Sequence, residues 1–317
     1  MFDGFEARDF EAYAPTKWQS NAYNLERMRV KDKLVSLGQH LSPLQPTADG
    51  PPLSCEVSVE HPALWNNNTV SDQRLYFTRS EHERKELSSR NTRATSMSSQ
   101  VADPSPHREH IVLCVVVSDQ GVEISLKLHP NAAVDRQNMV TKLTDRWHMQ
   151  AFVDLLADLP DDFHMGFAGG EPMAPSALTA DALRALVQAF AEASESPAAD
   201  KTKVLSVGRA YGPEEVCEAD VGFADQARAD LRALLPLYQH LAWSRQNDFV
   251  EVTEAIREEK KVKKARGIRQ NDEIRVTRGL FAGKTGVVES TDAKGLLKLR
   301  LGTMVVKIDA KDVTPKQ

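Results

Sequence analysis

The sequence predicts an α+β body with β-hairpins and several amphipathic helices, followed by a small all-β unit at the C-terminal end. An apolar run at 111–117 and an alternating run at 122–128 flank a short turn, which is typical of a β-hairpin. Apolar residues recur at helical spacing between 135 and 159, which predicts an amphipathic helix. Three glycines at 279, 283 and 286 separate short alternating stretches, which indicates tight turns between strands.

The first part of the body combines a helix with two strands. Regularly spaced leucines predict a helix over 24–41, and alternation predicts strands at 55–60 and 74–78. Ser80 and Glu83 have the spacing of a capping box, so a short charged helix is expected to begin there. The segment 88–109 is rich in Ser, Thr, Arg and Pro and is predicted to be a mobile surface insertion.

The second part of the body is predicted to be mainly helical. One helix is expected over 135–159, a glycine-rich loop or hinge over 163–175, and a helix over about 179–193. A short strand at 204–207 and a helix over 220–243, bent at Pro236, follow. A last helix is expected from 249 to about 266, where its apolar face is lost.

These elements suggest four segments. Residues 1–165 form an α+β domain, and residues 170–256 form a mainly helical extension that belongs to the same domain or to a second one. Residues 257–267 form a basic helical linker, and residues 268–317 form the all-β unit. The opening of the chain and the run that begins with the Ile111 strand resemble an uncharacterised bacterial α+β family, which implies no activity for these residues.

Composition favours a cytoplasmic protein without a membrane span. No stretch approaches 18 consecutive apolar residues, and the acidic, aromatic start lacks the pattern of a secretion signal. Cys55, Cys114 and Cys217 lie far apart, so we expect free thiols, with no zinc site and no disulfide.

The net charge of −5 conceals a contrast between the body and the C-terminal segment. Residues 257–317 contain 16 Lys and Arg against 8 Asp and Glu, a balance of +8, whereas residues 1–256 carry −13. Contact with a polyanion is therefore expected from the C-terminal segment. A solvated linker followed by a mildly basic unit explains the same counts.

The stretch from Asp272 to Val288 has the most specific spacing in the chain. Ile274 and Val276 alternate with polar residues, and a glycine-rich turn then leads to an apolar restart at Val287. This stretch resembles the KOW motif of the transcription factor NusG, of eukaryotic elongation factors of the Spt class and of several large-subunit ribosomal proteins. The resemblance extends more loosely to Val313, and it implies that residues 268–317 form an SH3-like KOW barrel. Asn271-Asp272 and Leu280 stand where the family often has Gly-Asp and Pro.

The resemblance implies that the loop after the first strand of the barrel contains binding residues. Arg278 and Lys284 are expected to contact phosphates, or else to be solvated. Phe281 either stacks on a base or partner, or fills the barrel core. Gly279, Gly283 and Gly286 are assigned to the turns. The linker contributes further cations that contact nucleic acid or are simply solvated, namely Lys260, Lys261, Lys263, Lys264 and Arg266.

No catalytic set, metal site or cofactor motif is evident in the sequence. Glu123 and Lys127 face the same side of a strand, but a nuclease carboxylate and lysine are usually two residues apart. Asp158, Asp161 and Asp162 are more simply a helix-terminating corner than a cation site. An enzyme would require polar side chains to converge in one cleft, with Asp72, Arg79, Asp135 and Arg136 as the candidates.

We therefore expect a non-catalytic protein that binds RNA, or a ribosomal or RNA polymerase component, through residues 257–317. Such a protein would act in transcription or translation, as NusG-like proteins do, although the polymerase-binding domain of NusG is not recognisable in residues 1–256. One alternative is a nuclease or hydrolase with its active site in the body. Another is a protein–protein adaptor whose binding is insensitive to salt.

Overall fold

The chain forms two compact units in the computed structural model, Met1–Asn247 and Asp248–Gln317. The residues that the structure describes are 2–46, 50–58, 69–90, 108–167, 170–193, 204–250, 268, 270–291, 296–302, 304–309 and 312–315. Of the insertion predicted over 88–109, residues 91–107 lie outside them, and residues 88–90 belong instead to a helix that ends at Arg90. The predicted linker at 257–267 also lies outside them. Within the described parts, no helix is long and apolar enough to cross a bilayer.

The first unit is built on a six-stranded sheet in which every pairing is antiparallel. Its order is β1-β2-β3-β4-β6-β5. The strands are β1 (Ser54–Val57), β2 (Asp72–Thr78), β3 (Val112–Ser118), β4 (Gly121–Leu128), β5 (His164–Phe167) and β6 (Leu205–Tyr211). The predicted hairpin is confirmed, because β3 and β4 pair from Val112 opposite Lys127 to Ser118 opposite Gly121.

The helices that contribute to the apolar core lie on one face of this sheet. The described part of the first unit contains eight α-helices. They are α1 (Ala7–Glu11), α2 (Asn24–Leu41), α3 (Glu81–Arg90), α4 (Ala133–Lys142), α5 (Arg146–Ala157), α6 (Ala180–Ala193), α7 (Pro213–Ala219) and α8 (Phe223–Leu241). Helix α2 lies against β1 and β2, and α8 lies against β3, β4 and β6. The mixed helical and antiparallel architecture predicted from the sequence is thereby confirmed.

Local sequence signals account for the start of two helices. The capping box before α3 is formed, because the Ser80 amide donates to Glu83 Oε2 at 3.0 Å and the Glu83 amide donates to Ser80 Oγ at 3.4 Å. The Asp145 carboxylate caps α5 by accepting from the amides of Trp147 and His148.

Three details of the predicted elements were wrong. The single helix expected over 135–159 is divided into α4 and α5, because Asp145 caps a new helix. The loop expected over 163–175 contains strand β5, which is stabilised by pairing with β6. Strand β6 extends to Tyr211 rather than ending at 207. Pro236 lies inside α8, which remains one helix from Phe223 to Leu241.

One apolar core runs through the whole first unit, from Phe2 to Ala242. It therefore draws side chains from both the 1–165 and the 170–256 segments. The opposite face of the sheet is different in character. It combines a small buried cluster of Tyr76, Val112, Cys114 and Val116 with charged side chains on the same strands.

A buried ion pair connects four segments of the first unit. The Arg79 guanidinium binds both oxygens of the Asp135 carboxylate, with Nη1 at 2.7 Å from Oδ2. The same carboxylate accepts from the Ile111 amide at 2.9 Å and the Trp243 amide at 2.8 Å. Arg79 also donates to the Trp243 carbonyl at 3.0 Å. The pair thus connects the end of β2, the start of β3, helix α4 and the residues after α8.

The second unit contains a five-stranded antiparallel sheet in the order β10-β9-β8-β7-β11, curled into a half-barrel. Its strands are β7 (Glu273–Val276), β8 (Thr285–Thr291), β9 (Leu296–Leu301), β10 (Met304–Asp309) and β11 (Val313–Pro315). The inner face is apolar, and the buried side chains on it are Ile268, Ile274, Val276, Val288, Leu297, Leu299, Leu301, Ile308 and Val313.

Replacing Asp135 should strongly destabilise the first unit. Asp135→Ala leaves the buried Arg79 charge uncompensated and two backbone amides without their acceptor, so we expect a loss of about 3–5 kcal/mol in the free energy of unfolding. Chemical denaturation of the full chain measures this value. Glu81→Ala is the control, because Glu81 and its partner Lys85 are 73% and 76% exposed, and we expect a change below about 0.5 kcal/mol. Equal losses in the two variants would contradict this role for the buried pair.

The stability of the first unit should fall in mild acid. Burial lowers the pKa of His110 to about 4, with the Asp135 carboxylate opposing this shift. The folded state thus holds the imidazole neutral. The contribution of neutral His110 to the free energy of unfolding is fully present above the unfolded pKa of about 6.5 and is lost as the pH falls toward 4. At pH 5 the loss from this group is about 2 kcal/mol. His110→Gln should therefore lose correspondingly less stability between pH 7 and pH 5, and an unchanged pH profile would contradict the assignment.

Candidate nucleic-acid interface

The outer face of the half-barrel is positively charged. Strand alternation turns Ile274, Leu297 and Leu299 into the core, so the residues between them point outward. Among the described residues, the cations on this outer face of the strands are Arg275, Lys298, Arg300 and Lys307, all of which are exposed. Their placement follows directly from the pattern of β9, where leucine alternates with lysine and arginine. Glu273 and Asp309 point to the same face.

Two lysines of this face lie directly opposite each other. Lys298 on β9 pairs with Lys307 on β10, and Arg300 pairs with Val305 in the same ladder. Side chains directly opposite on neighbouring antiparallel strands have Cβ atoms about 5 Å apart, and like charges there are destabilising. This arrangement creates a concentrated positive field on the surface of the sheet.

Glu289 is the acidic neighbour of this cluster. Its carboxylate lies 3.3 Å from Lys298 Nζ and 3.9 Å from Arg300 Nε. Glu289 occupies the bulge where the register of β8 against β9 shifts. Lys307 forms no ion pair within the described part of the chain. Glu289 is therefore shared between Lys298 and Arg300, and Asp309 lies two residues from Lys307 on the same face of β10.

The loop between β7 and β8 brings together the residues that the KOW resemblance singles out. Arg278 and Lys284 are both exposed near its two ends, and Phe281 lies between them. Phe281 is half-buried against the core of the half-barrel, which agrees with the core-filling alternative. Leu280 is 99% exposed at the tip, so the apolar side chain that the loop offers to solvent is Leu280 rather than Phe281.

The predicted turn glycines have distinct structural roles. Gly279 and Gly283 have φ values of +85° and +87°, a region that favours glycine. The loop between them is closed by hydrogen bonds from the Gly283 amide to the Val276 carbonyl at 2.8 Å and from the Val276 amide to the Lys284 carbonyl at 2.9 Å. Gly286 lies inside strand β8 and not in a turn, so its predicted turn role was wrong. It allows close packing, because a Cβ there would lie 2.4 Å from Leu301 Cδ2.

The sequence did not lead us to select the basic residues on strands β9 and β10. The linker cations that we selected lie outside the residues that the structure describes. Lys260, Lys261, Lys263, Lys264 and Arg266 lie outside the described residues. Lys298, Arg300 and Lys307 were not selected, although the alternation of leucine with basic residues on β9 marks two of them. The pairing of Lys298 with Lys307 depends on the register of β9 against β10, which spacing alone does not give.

The polar residues considered for a catalytic cleft in the first unit do not converge in an open cleft, because Arg79 and Asp135 are in contact but buried, and Asp72 lies apart from them. Asp72 begins β2 and binds Arg74, whose Nε lies 2.5 Å from Asp72 Oδ1. Arg79 directly follows the other end of that strand, roughly 23 Å away at about 3.3 Å per residue. Arg79 and Asp135 are instead committed to the buried ion pair, with 4% and 1% of their side chains exposed. Their positions do not support a common active site.

The remaining acidic candidates are held in ion pairs or at helix ends. Glu123 accepts from Lys127 Nζ at 2.8 Å along β4, as a strand pair facing one side. Asp162 binds Arg209 at 2.7 Å, and Asp158 is the C-cap of α5. Within the described ranges, no group of three or more His, Cys, Asp or Glu is arranged to hold a metal ion.

Comparison with known proteins adds no relative to this description. No protein-family description matches the chain, and no curated protein matches it.

Gly286 provides a test of the close packing beneath the interface. Gly286→Ala forces a Cβ into Leu301 and the Arg300 carbonyl, so we expect the half-barrel to lose about 1–3 kcal/mol of stability. Thr285→Ala is the matched control on the same strand, because Thr285 is exposed, and its effect should stay within about 0.5 kcal/mol. Denaturation of the full chain, followed by amide signals of the half-barrel, measures both. Equal effects would contradict the packing role.

Proposed function

We propose that the protein binds RNA through the outer face of its C-terminal half-barrel and acts as a non-catalytic component of transcription or translation. The observation that carries this proposal is the cluster of Lys298, Arg300 and Lys307, in which Lys298 and Lys307 lie directly opposite each other on neighbouring strands. Glu289 is shared between Lys298 and Arg300, and Lys307 has no ion pair among the described residues, so the cluster is available to phosphates, and phosphate contacts provide most of the affinity for nucleic acid.

The half-barrel is interpreted here as an SH3-like KOW unit. A curled antiparallel sheet with a glycine-bounded loop after its first strand supports this interpretation. Arg278 and Lys284 extend the positive surface from the strands to this loop. Leu280 adds an exposed apolar side chain that can contact an unstacked base or the ribose of a single strand.

RNA is preferred to a purely protein partner because of the like-charge pair. Lys298 and Lys307 repel each other across the β9–β10 ladder, and a polyanion relieves this repulsion. A protein partner that binds by pairing with an edge strand or by contacting Leu280 does not require two lysines opposite each other. The two alternatives differ in their response to salt, since counterion release makes binding to RNA strongly salt-dependent.

RNA binding by the full chain should be salt-dependent and should require the strand lysines. Fluorescence anisotropy with a labelled single-stranded RNA of roughly 16 nucleotides measures affinity between about 50 and 200 mM salt. Each phosphate contact contributes about −0.7 to the slope of log K against log salt for single strands. The double variant Lys298→Ala, Lys307→Ala should therefore weaken binding and reduce the magnitude of the slope by about 1.4.

A charge-matched control separates this interface from general electrostatics. Lys85→Ala with Arg184→Ala removes two exposed cations from helices of the first unit, where the side chains are 76% and 49% exposed. This pair should leave the affinity and slope nearly unchanged. Absence of RNA binding at low salt, a slope near zero, or equal effects of the two double variants would reject the proposal. A slope near zero with retained protein partners would favour the adaptor.

A further inference from the structure

Strand β10 forms one edge of the five-stranded sheet in the half-barrel. An edge strand presents a row of backbone N–H and C=O groups that another strand can bind, and short length or proline blunts such an edge. Strand β11, at the other edge, has three residues and ends at Pro315. Strand β10 has six residues and no proline, so it is the edge that is suited to pairing.

The backbone groups of Val305 and Lys307 point away from β9. A two-residue turn separates Leu301 from Met304, so these two residues close the hairpin as a hydrogen-bonded pair. Hydrogen-bonded and non-hydrogen-bonded pairs alternate along an antiparallel ladder, so Val305 and Lys307 direct their N–H and C=O groups to the edge. Within the described ranges, no hydrogen bond from another residue reaches these groups. They are therefore available to a partner strand.

The side chains at the start of β10 are apolar and exposed. Met304 and Val305 are 49% and 48% exposed, whereas the alternate leucines of β9 are buried. Met304 and Val306 lie on the inner, apolar side of the sheet together with Ile308, which is buried. A second strand beside β10 would therefore bury apolar surface as well as pairing the backbone groups of the edge.

The sequence of β10 is complementary to itself in one antiparallel register. When the pairing is centred on Val306, residues 304–308 of the two strands overlap, and Met304 lies opposite Ile308 of the partner subunit. On the outer side, Val305 lies opposite Lys307 of the partner subunit. Centring on Lys307 instead places two lysines opposite each other, which is destabilising. Centring on Val305 or on Ile308 leaves only 304–306 or 307–309 paired.

We propose that two copies of the protein associate through β10, with the two strands antiparallel and Val306 at the two-fold axis. Val305 and the partner subunit's Lys307 exchange both backbone hydrogen bonds, and the symmetric pair does the same across the axis. The two half-barrel sheets then form one continuous sheet, in the isologous arrangement that is commonest among protein dimers. This inference does not rest on the RNA binding proposed above.

The charges of the outer face set the salt dependence of this association. Pairing through β10 brings Lys298, Arg300 and Lys307 toward the same cations of the partner subunit, and Glu289 offsets them only in part. Salt screens the repulsion between exposed charges, so the dimer should become stronger as the salt concentration rises. RNA binding through the same face has the opposite salt dependence, because it depends on counterion release. The two proposals are therefore tested independently.

A cysteine at the two-fold axis tests the register. Val306 faces Val306 of the partner subunit as a non-hydrogen-bonded pair, in which Cα atoms lie about 4.5 Å apart, within the range of a disulfide. The full chain carrying Val306→Cys should therefore form a covalent dimer on mild oxidation at high salt, as measured on a non-reducing gel.

Val305→Cys is the matched control for this cross-link. Position 305 lies opposite Lys307 of the partner subunit rather than opposite itself, so this variant should give at least about tenfold less covalent dimer. The native Cys55, Cys114 and Cys217 are present in every variant, so the wild type provides the background. Equal cross-linking of the two variants, or no cross-linking of Val306→Cys above the background, would overturn the proposal.

Sedimentation velocity of the full chain measures the association without an added cysteine. At protein concentrations up to roughly 100 μM, the dimer fraction of the wild type should increase between about 50 and 500 mM salt. Val305→Pro removes an N–H group from the edge but leaves the ladder with β9 intact, so the association should weaken at least about tenfold. Val305→Thr keeps the amide and the β-branched shape, and its association should stay within about threefold of the wild type.

Amide signals of the half-barrel verify that Val305→Pro retains its fold. A wild type that stays monomeric at both salt concentrations would refute the edge pairing. Equal dimer fractions in Val305→Pro and Val305→Thr, or a dimer that weakens as salt is added, would place the association at a different surface and refute it as well.

Discussion

The ion pair between Arg79 and Asp135 is the interaction on which the first unit most depends. A buried carboxylate is costly unless its lone pairs are satisfied, and here two guanidinium nitrogens and two backbone amides satisfy them. The segments that meet at this point are separated by up to 164 positions in sequence. The hydrogen bonds of the carboxylate therefore fix the relative positions of the sheet, α4 and the end of α8. Apolar packing is non-directional and constrains these positions less.

The parts of the fold that were predictable from the sequence are those with local causes. The β3–β4 hairpin follows from an apolar run, a turn and an alternating return strand, and α2 follows from leucines at helical spacing. The capping box at Ser80 was predictable because both partners lie within one turn. By contrast, strand β5 exists because β6 pairs with it, and no signal within its glycine-rich sequence indicates that partner.

The same distinction applies to the candidate interface. The turn glycines and the exposed positions of Arg278 and Lys284 follow from a short stretch whose spacing is informative by itself. The lysine cluster requires the register of β9 against β10, which is set by the two strands and their turn together.

The Lys298–Lys307 pair couples the binding of an anion to the stability of the β9–β10 hairpin. The two ammonium groups lie opposite each other across one ladder, and Glu289, which pairs with Lys298, offsets their repulsion only in part when no anion is bound. Any polyanion that neutralises them binds the folded hairpin in preference to the unfolded chain, and so stabilises it by mass action. Binding of a polyanion to this surface would therefore raise the stability of the β9–β10 edge of the half-barrel.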